Sequence, residues 1–85
     1  MKLRRTNRFL KDYATLPEEL KARTEKAISA LLDNPRHPSL MIKKMEGREG
    51  IWELRVTEGC RLTFQLSGDA YVLRRVGTHN VLRKP

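Results

Sequence analysis

Eighty-five residues, 39% of them hydrophobic, leave room for one domain over residues 1–85 with a single two-layer core, and no apolar run is long enough to cross a bilayer. The single Cys60 excludes an internal disulfide framework and a cysteine-based zinc site, and it fits a reducing cytoplasm. The net charge of +8 favours a polyanion or an acidic partner over the plainer reading of solubility, because residues 1–11 and the residues after Asp69 carry cations and no acid.

The opening MKLRRTNRFLKDY lacks the apolar core and small-residue cleavage site of a secretory signal, so none is expected. Lys2–Arg5 reads as a short first strand with Leu3 as its core side chain. Thr6 can cap a helix to about Tyr13 that gathers Phe9, Leu10 and Tyr13 on one face. LPEELKARTEKAISALLDNP predicts a second helix. Pro17, Glu18 and Glu19 suit its first turn, and Leu20, Thr24, Ala27, Ile28 and Leu31 form its apolar stripe. Lys21, Arg23, Glu25 and Lys26 lie mainly outside that stripe, and Asn34-Pro35 stops the helix.

Beyond the PRHPS loop the period changes to two. Leu40–Met45 is a strand candidate, Glu46–Gly50 a turn, Ile51–Thr57 a strand, and Glu58-Gly59 a tight turn. Arg61–Leu66 sets Leu62, Phe64 and Leu66 against Arg61, Thr63 and Gln65. After Ser67-Gly68-Asp69, the strand Ala70–Val76 sets Tyr71, Leu73 and Arg75 against Val72, Arg74 and Val76. The order β-α-α-β-β-β-β predicts an α+β fold, a two-helix hairpin packed on one face of a mostly antiparallel four- to five-stranded sheet. Leu20, Ile28, Leu31, Leu62, Phe64 and Leu66 are the expected core, and the far face of the sheet is expected to be partly open.

That far face carries the candidate chemistry. Pairing positions that sum to about 117 across Glu58-Gly59 would place Arg55 nearly opposite Leu62 and diagonal to Arg61. His79, in the closing stretch RRVGTHNVLRKP, can fold back over the sheet. Histidine can act as acid or base near neutrality, and arginine can clamp a phosphate. His79, Arg61 and Arg55 could therefore handle a negatively charged substrate without a cofactor, and two histidines and one cysteine without ligand spacing give no metal site. The competing readings are a solvated terminal histidine, and arginines paired across the strands with Glu53 or Glu58. Lys43 and Lys44 should point to opposite faces, one toward a phosphate and one along the sheet edge. Arg75, Arg83 and Lys84 extend the basic surface. Trp52 is read as packing rather than base stacking, His37 as a loop residue, and Cys60 as packing rather than a nucleophile.

GIWELRVTEGCRLTFQLSGDAYVLRRVGTHNV resembles the C-terminal half of the RelE/ParE superfamily of type II toxins, and LPEELKARTEKAISALLDNPRHPSL resembles its second helix and the following loop. The VGTH ending is most similar to the YoeB and YafQ branches. The resemblance implies a microbial-ribonuclease-like fold, a cytoplasmic cognate antitoxin in a hetero-oligomer, and cleavage of mRNA at the ribosome. For the ParE branch it implies inhibition of DNA gyrase instead. Arg61 matches the family's scissile-phosphate arginine and His79 its near-terminal histidine, while Arg55 stands where the YafQ branch has a histidine. The closely spaced lysines of the RelE branch are replaced by Trp52 and Leu54, and a near-terminal tyrosine is absent. Endoribonuclease, gyrase-binding toxin and inactive toxin-fold binding protein all remain open on these residues.

Overall fold

The computed structural model describes residues 1–85 except the side chain of His79. Five strands, β1 (Lys2–Arg5), β2 (Lys43–Lys44), β3 (Trp52–Thr57), β4 (Cys60–Ser67) and β5 (Ala70–Gly77), form one sheet in the order β1-β5-β4-β3-β2. Helices α1 (Asn7–Ala14) and α2 (Glu18–Asp33) follow β1, and short 3-10 turns stand at Pro38–Leu40 and His79–Leu82. All strand pairs are antiparallel except β1 with β5, which is parallel. Among the described residues no helix is long and apolar enough to cross a membrane.

The α2 stripe behaves as its spacing predicts, with Thr24, Ala27, Ile28 and Leu31 buried and Leu20 packed against them at the margin. Leu54, Leu62, Phe64, Tyr71, Leu73 and Val76 complete the core from the sheet side. In α1 only Phe9 is buried, and Leu10 is exposed, so the apolar face of that helix is narrower than expected. Thr6 anchors α1 to the sheet: its hydroxyl accepts from the Phe9 N–H at 3.1 Å and donates to the Leu73 carbonyl at 2.8 Å.

Three expectations fail for identifiable reasons. The strand candidate Leu40–Met45 shrinks to Lys43–Lys44, because Leu40 closes the 3-10 turn and Met41 turns left-handed at φ 46°. Leu66 is 52% exposed, standing at the end of β4 in a shallow apolar notch beside Leu31, Pro35 and Trp52 rather than in the core. Val76 is 1% exposed and shares the core with Leu73, against the alternation. The last departure follows from a bulge. Phe64 pairs with Leu73 and Thr63 with Arg75, so Arg74 is an extra residue and the phase of β5 shifts after it.

At the edge beyond β1, Asp12 of α1 closes the structure against β5. Its carboxylate takes a forked pair from Arg75, with Nε at 2.7 Å and Nη2 at 3.0 Å, and accepts the Val76 N–H at 3.3 Å. Both side chains are about four-fifths buried. Two stability measurements check this description by chemical denaturation. Phe64→Ala should cost about 3–5 kcal/mol, and an unchanged midpoint would mean that the faces of β4 are reversed. Asp12→Ala, which strands both Arg75 and the Val76 N–H, should cost about 2 kcal/mol, less than a fully buried pair, and a loss below about 0.5 kcal/mol would reduce the pair to surface status.

Candidate active site and nucleic-acid interface

The β3–β4 hairpin brings the two candidate arginines together more directly than the sequence implies. Arg55 is paired straight across from Arg61, because a second register shift falls between Arg55 and Thr57. The Arg61 guanidinium folds back onto the turn, where Nη1 donates to the carbonyls of Thr57 at 2.6 Å, Glu58 at 2.7 Å and Cys60 at 3.3 Å. Among the described residues its Nε and Nη2 have no partner, so one edge is anchored and the other can receive an anion. Neither arginine forms the cross-strand ion pair that competed with a functional role. Glu53 pairs instead with Lys43 at 3.5 Å, and Arg61 uses the backbone carbonyl of Glu58.

The C-terminal segment is packed rather than frayed. Gly77 pairs with Arg61 at the end of β5, and the 3-10 turn His79–Leu82 starts two residues later, so the backbone at residue 79 lies close along the chain to the Arg61 pair. Val81 is 5% exposed, and a Cβ at Gly77 would lie 3.0 Å from its Cγ1, so glycine permits this close return. The Pro85 carbonyl accepts from Thr63 Oγ1 at 3.2 Å and from Arg74 Nε at 2.9 Å. Arg74 also meets Gln65 Oε1, Arg75 Nη1 reaches the Lys84 carbonyl at 3.2 Å, and Arg48 Nη2 reaches that of Arg83 at 2.5 Å. This tail covers part of the sheet face expected to be open, which is why Thr63 is fully buried. His79, the expected acid or base, has its side chain outside the described residues.

The remaining predicted positions separate clearly. Arg83 and Lys84 are exposed. Arg75 is committed to Asp12, whose hydrogen bonds raise its pKa above the ordinary arginine value and outweigh the opposing effect of burial. Lys43 leans to Glu53, while Lys44 Nζ stands 6.0 Å from the centre of the Trp52 ring, on alternate faces as β2 requires. Trp52 and the fully buried Leu54 pack on the helix side, Glu53 takes the opposite face beside Lys43, and Arg55 reaches the Met41 sulfur with Nη1 at 3.0 Å. Cys60 is 2% exposed and burial pushes its thiol up, partly opposed by Arg61, which suits packing and not nucleophilic attack. Among the described residues no cluster of His, Cys, Asp and Glu could hold a metal ion.

Sequence reasoning missed two features. Asp12 is the only acid in the first 17 residues, and that isolation among cations was the available signal. The other is a cleft of about 570 Å³ between α2, the Pro38–Leu40 turn and β3, where Arg23 and Lys26 face Arg55 across the gap. The helical period placed those two cations off the apolar stripe and gave no sign of what stood opposite.

No protein-family model matches the chain, and neither does any curated protein. Solved structures do. YafQ from E. coli superposes with a TM-score of 0.79 at 16% identity, over 95% of this chain and 96% of that one. A chain of the RelB-RelE antitoxin-toxin complex from Methanococcus jannaschii gives 0.76 at 21% identity, covering 95% of each. The YoeB/ParE toxin from Agrobacterium tumefaciens gives 0.78 at 20% identity, over 93% of this chain and 99% of that one. Over nearly its whole length the chain therefore has the RelE-like fold, two helices on a mixed, mostly antiparallel five-stranded sheet.

Proposed function

We propose that the chain is the toxin of a type II toxin–antitoxin system and a metal-independent endoribonuclease that cuts mRNA at the ribosome in the cytoplasm. The observation that carries this reading is the state of Arg61, whose guanidinium is fixed through Nη1 to three turn carbonyls with Nε and Nη2 left to bind. A preorganised cation of this kind stabilises charge that develops on a phosphate without reorganising during reaction. His79, in the turn that follows the partner strand of Arg61, supplies the titratable group.

In this reaction a base removes the 2′-OH proton and the 2′-oxygen attacks phosphorus. The P–O5′ bond then breaks while an acid protonates the departing 5′-oxygen. His79 serves as acid or base, Arg61 clamps the scissile phosphate, and Arg55 reinforces the charge from the neighbouring strand. Lys43, Lys44, Arg83 and Lys84 attract the RNA backbone without reading its sequence. Arg75, expected among these contacts, acts instead through Asp12 and the Lys84 carbonyl by holding the tail in place.

The RelB-RelE and DinJ-YafQ structures are antitoxin–toxin complexes, which supports an antitoxin partner for this chain. An acidic segment laid over the Arg61 region would inhibit by direct occlusion. The gyrase-binding alternative requires no titratable group at residue 79.

The test is primer extension on mRNA from programmed ribosomes. His79→Gln keeps size and hydrogen bonding but removes proton transfer, and cleavage should fall roughly a hundredfold to ten-thousandfold. Arg61→Ala should impair both binding and turnover. Full cleavage by the His79 variant would remove that residue from catalysis, and growth arrest with intact transcripts and inhibited gyrase would overturn the nuclease reading.

A further inference from the structure

The cleft between α2 and the outer edge of β3 adjoins the Arg61 hairpin turn, sharing Arg55, Thr57 and Glu58 with it, and differs from it in its state of pairing. Arg23 and Lys26, one turn apart on α2, form one wall, and Arg55 forms the other. None of the three takes part in an ion pair among the described residues, whereas Arg5, Lys21, Lys43 and Arg75 all do. Arg55 Nε is buried without a hydrogen-bond partner, and its Nη1 meets only the sulfur of Met41 at 3.0 Å, a weak acceptor. A buried guanidinium nitrogen left in this state is stabilised by an added anion.

His37 contributes a donor of fixed identity. Its Nδ1 accepts the Ser39 N–H at 3.2 Å and lies 2.6 Å from Ser39 Oγ, so in the neutral ring the proton resides on Nε2. The only carboxylate lining the cleft is that of the exposed Glu58, one negative charge against three positive. The strand edge here has no neighbouring strand, since β2 pairs only with Trp52 and Glu53.

We infer that this cleft is a binding site for a backbone phosphate of single-stranded RNA, one that positions the strand next to the Arg61 site. Cations on opposing walls suit a tetrahedral phosphate with oxygens turned both ways. A planar carboxylate is satisfied by one guanidinium fork and would leave the far wall unpaired. Only the choice of polyanion rests on the proposed RNA-cleaving function, and the cleft's preference for a phosphate does not.

The test is fluorescence-anisotropy binding of a 2′-O-methyl RNA decamer to the full chain over a range of KCl concentrations. Such an RNA lacks the attacking hydroxyl, so binding is read independently of cleavage. The double variant Arg23→Gln/Lys26→Gln should weaken binding about tenfold near 100 mM salt and lower the logarithmic salt slope by about 1. Glu58→Gln should tighten binding about twofold. Arg4→Gln/Lys11→Gln, which removes the same charge away from the cleft, is the control and should change binding less than threefold. All four cations are exposed, and unchanged denaturation midpoints would verify the folds. Equal losses in the two double variants would overturn the site in favour of bulk charge. Intact RNA binding with loss of binding to an acidic peptide would reassign the cleft to a protein partner. Absence of mRNA cleavage by the wild-type chain would strike the nuclease reading alone, leaving the decamer result to stand or fall by itself.

Discussion

The molecule depends on one constraint, that the core side chains of a sheet with helices on only one side must point to that side. A strand satisfies it by strict alternation only while its register holds. β5 cannot do so over its full length, since Tyr71, Leu73 and Val76 all belong to the core while Leu73 and Val76 differ in parity. The bulge at Arg74 resolves the conflict by inserting one residue, after which Val76 faces inward opposite Leu62. A second shift, between Arg55 and Thr57, separates the register of the turn from that of the rest of the hairpin, where Arg55 stands level with Arg61. Without the first irregularity the core would lose Val76, whereas Val56 keeps the parity of Leu54 and faces inward by alternation alone.

The consequence for function is a division of labour among cations that composition alone presents as equivalent. Arg74 and Arg75, at the bulge, are spent on the tail and on Asp12. Arg48 is spent on the Arg83 carbonyl. These side chains convert a basic terminus into a packed cover over β4 and β5. Arg61 is half spent, because its anchoring leaves two nitrogens available, and this is the condition a phosphate clamp requires. Arg55, Arg23 and Lys26 are unspent. Unpaired cations lining one cleft are costly to the fold through mutual repulsion, and an anion at that place offsets the cost.

Much of the fold was legible because local signals were strong and agreed with one another. The α2 stripe, the Thr6 cap, the Asn34-Pro35 stop and the Gly-containing turns each specify an element through its own chemistry, and the element order limits the architecture. Illegible features were those decided at a distance. The position of a bulge is set by which side chains fit the core, so period two fails at Arg74 and Val76 with no local sign of it. Leu66 kept the correct face but lay at the strand end, where α2 no longer covers it. The site was legible as a set of residue types: Arg61, Arg55 and the segment bearing His79 do converge in the backbone. Which guanidinium is free was not legible, because a carboxylate 63 residues away, on Asp12, decides it for Arg75.

The claim on which the functional reading rests is that Arg61 is poised to receive a phosphate and Arg75 is not. Nitrogen-detected or Nε–H NMR of the arginine side chains, titrated with a non-cleavable 2′-O-methyl RNA, measures that difference directly. The Arg61 Nε–H resonance should shift progressively with RNA and saturate, while that of Arg75, held by Asp12, stays in place. A saturating shift of Arg75 with Arg61 silent would contradict the proposed site.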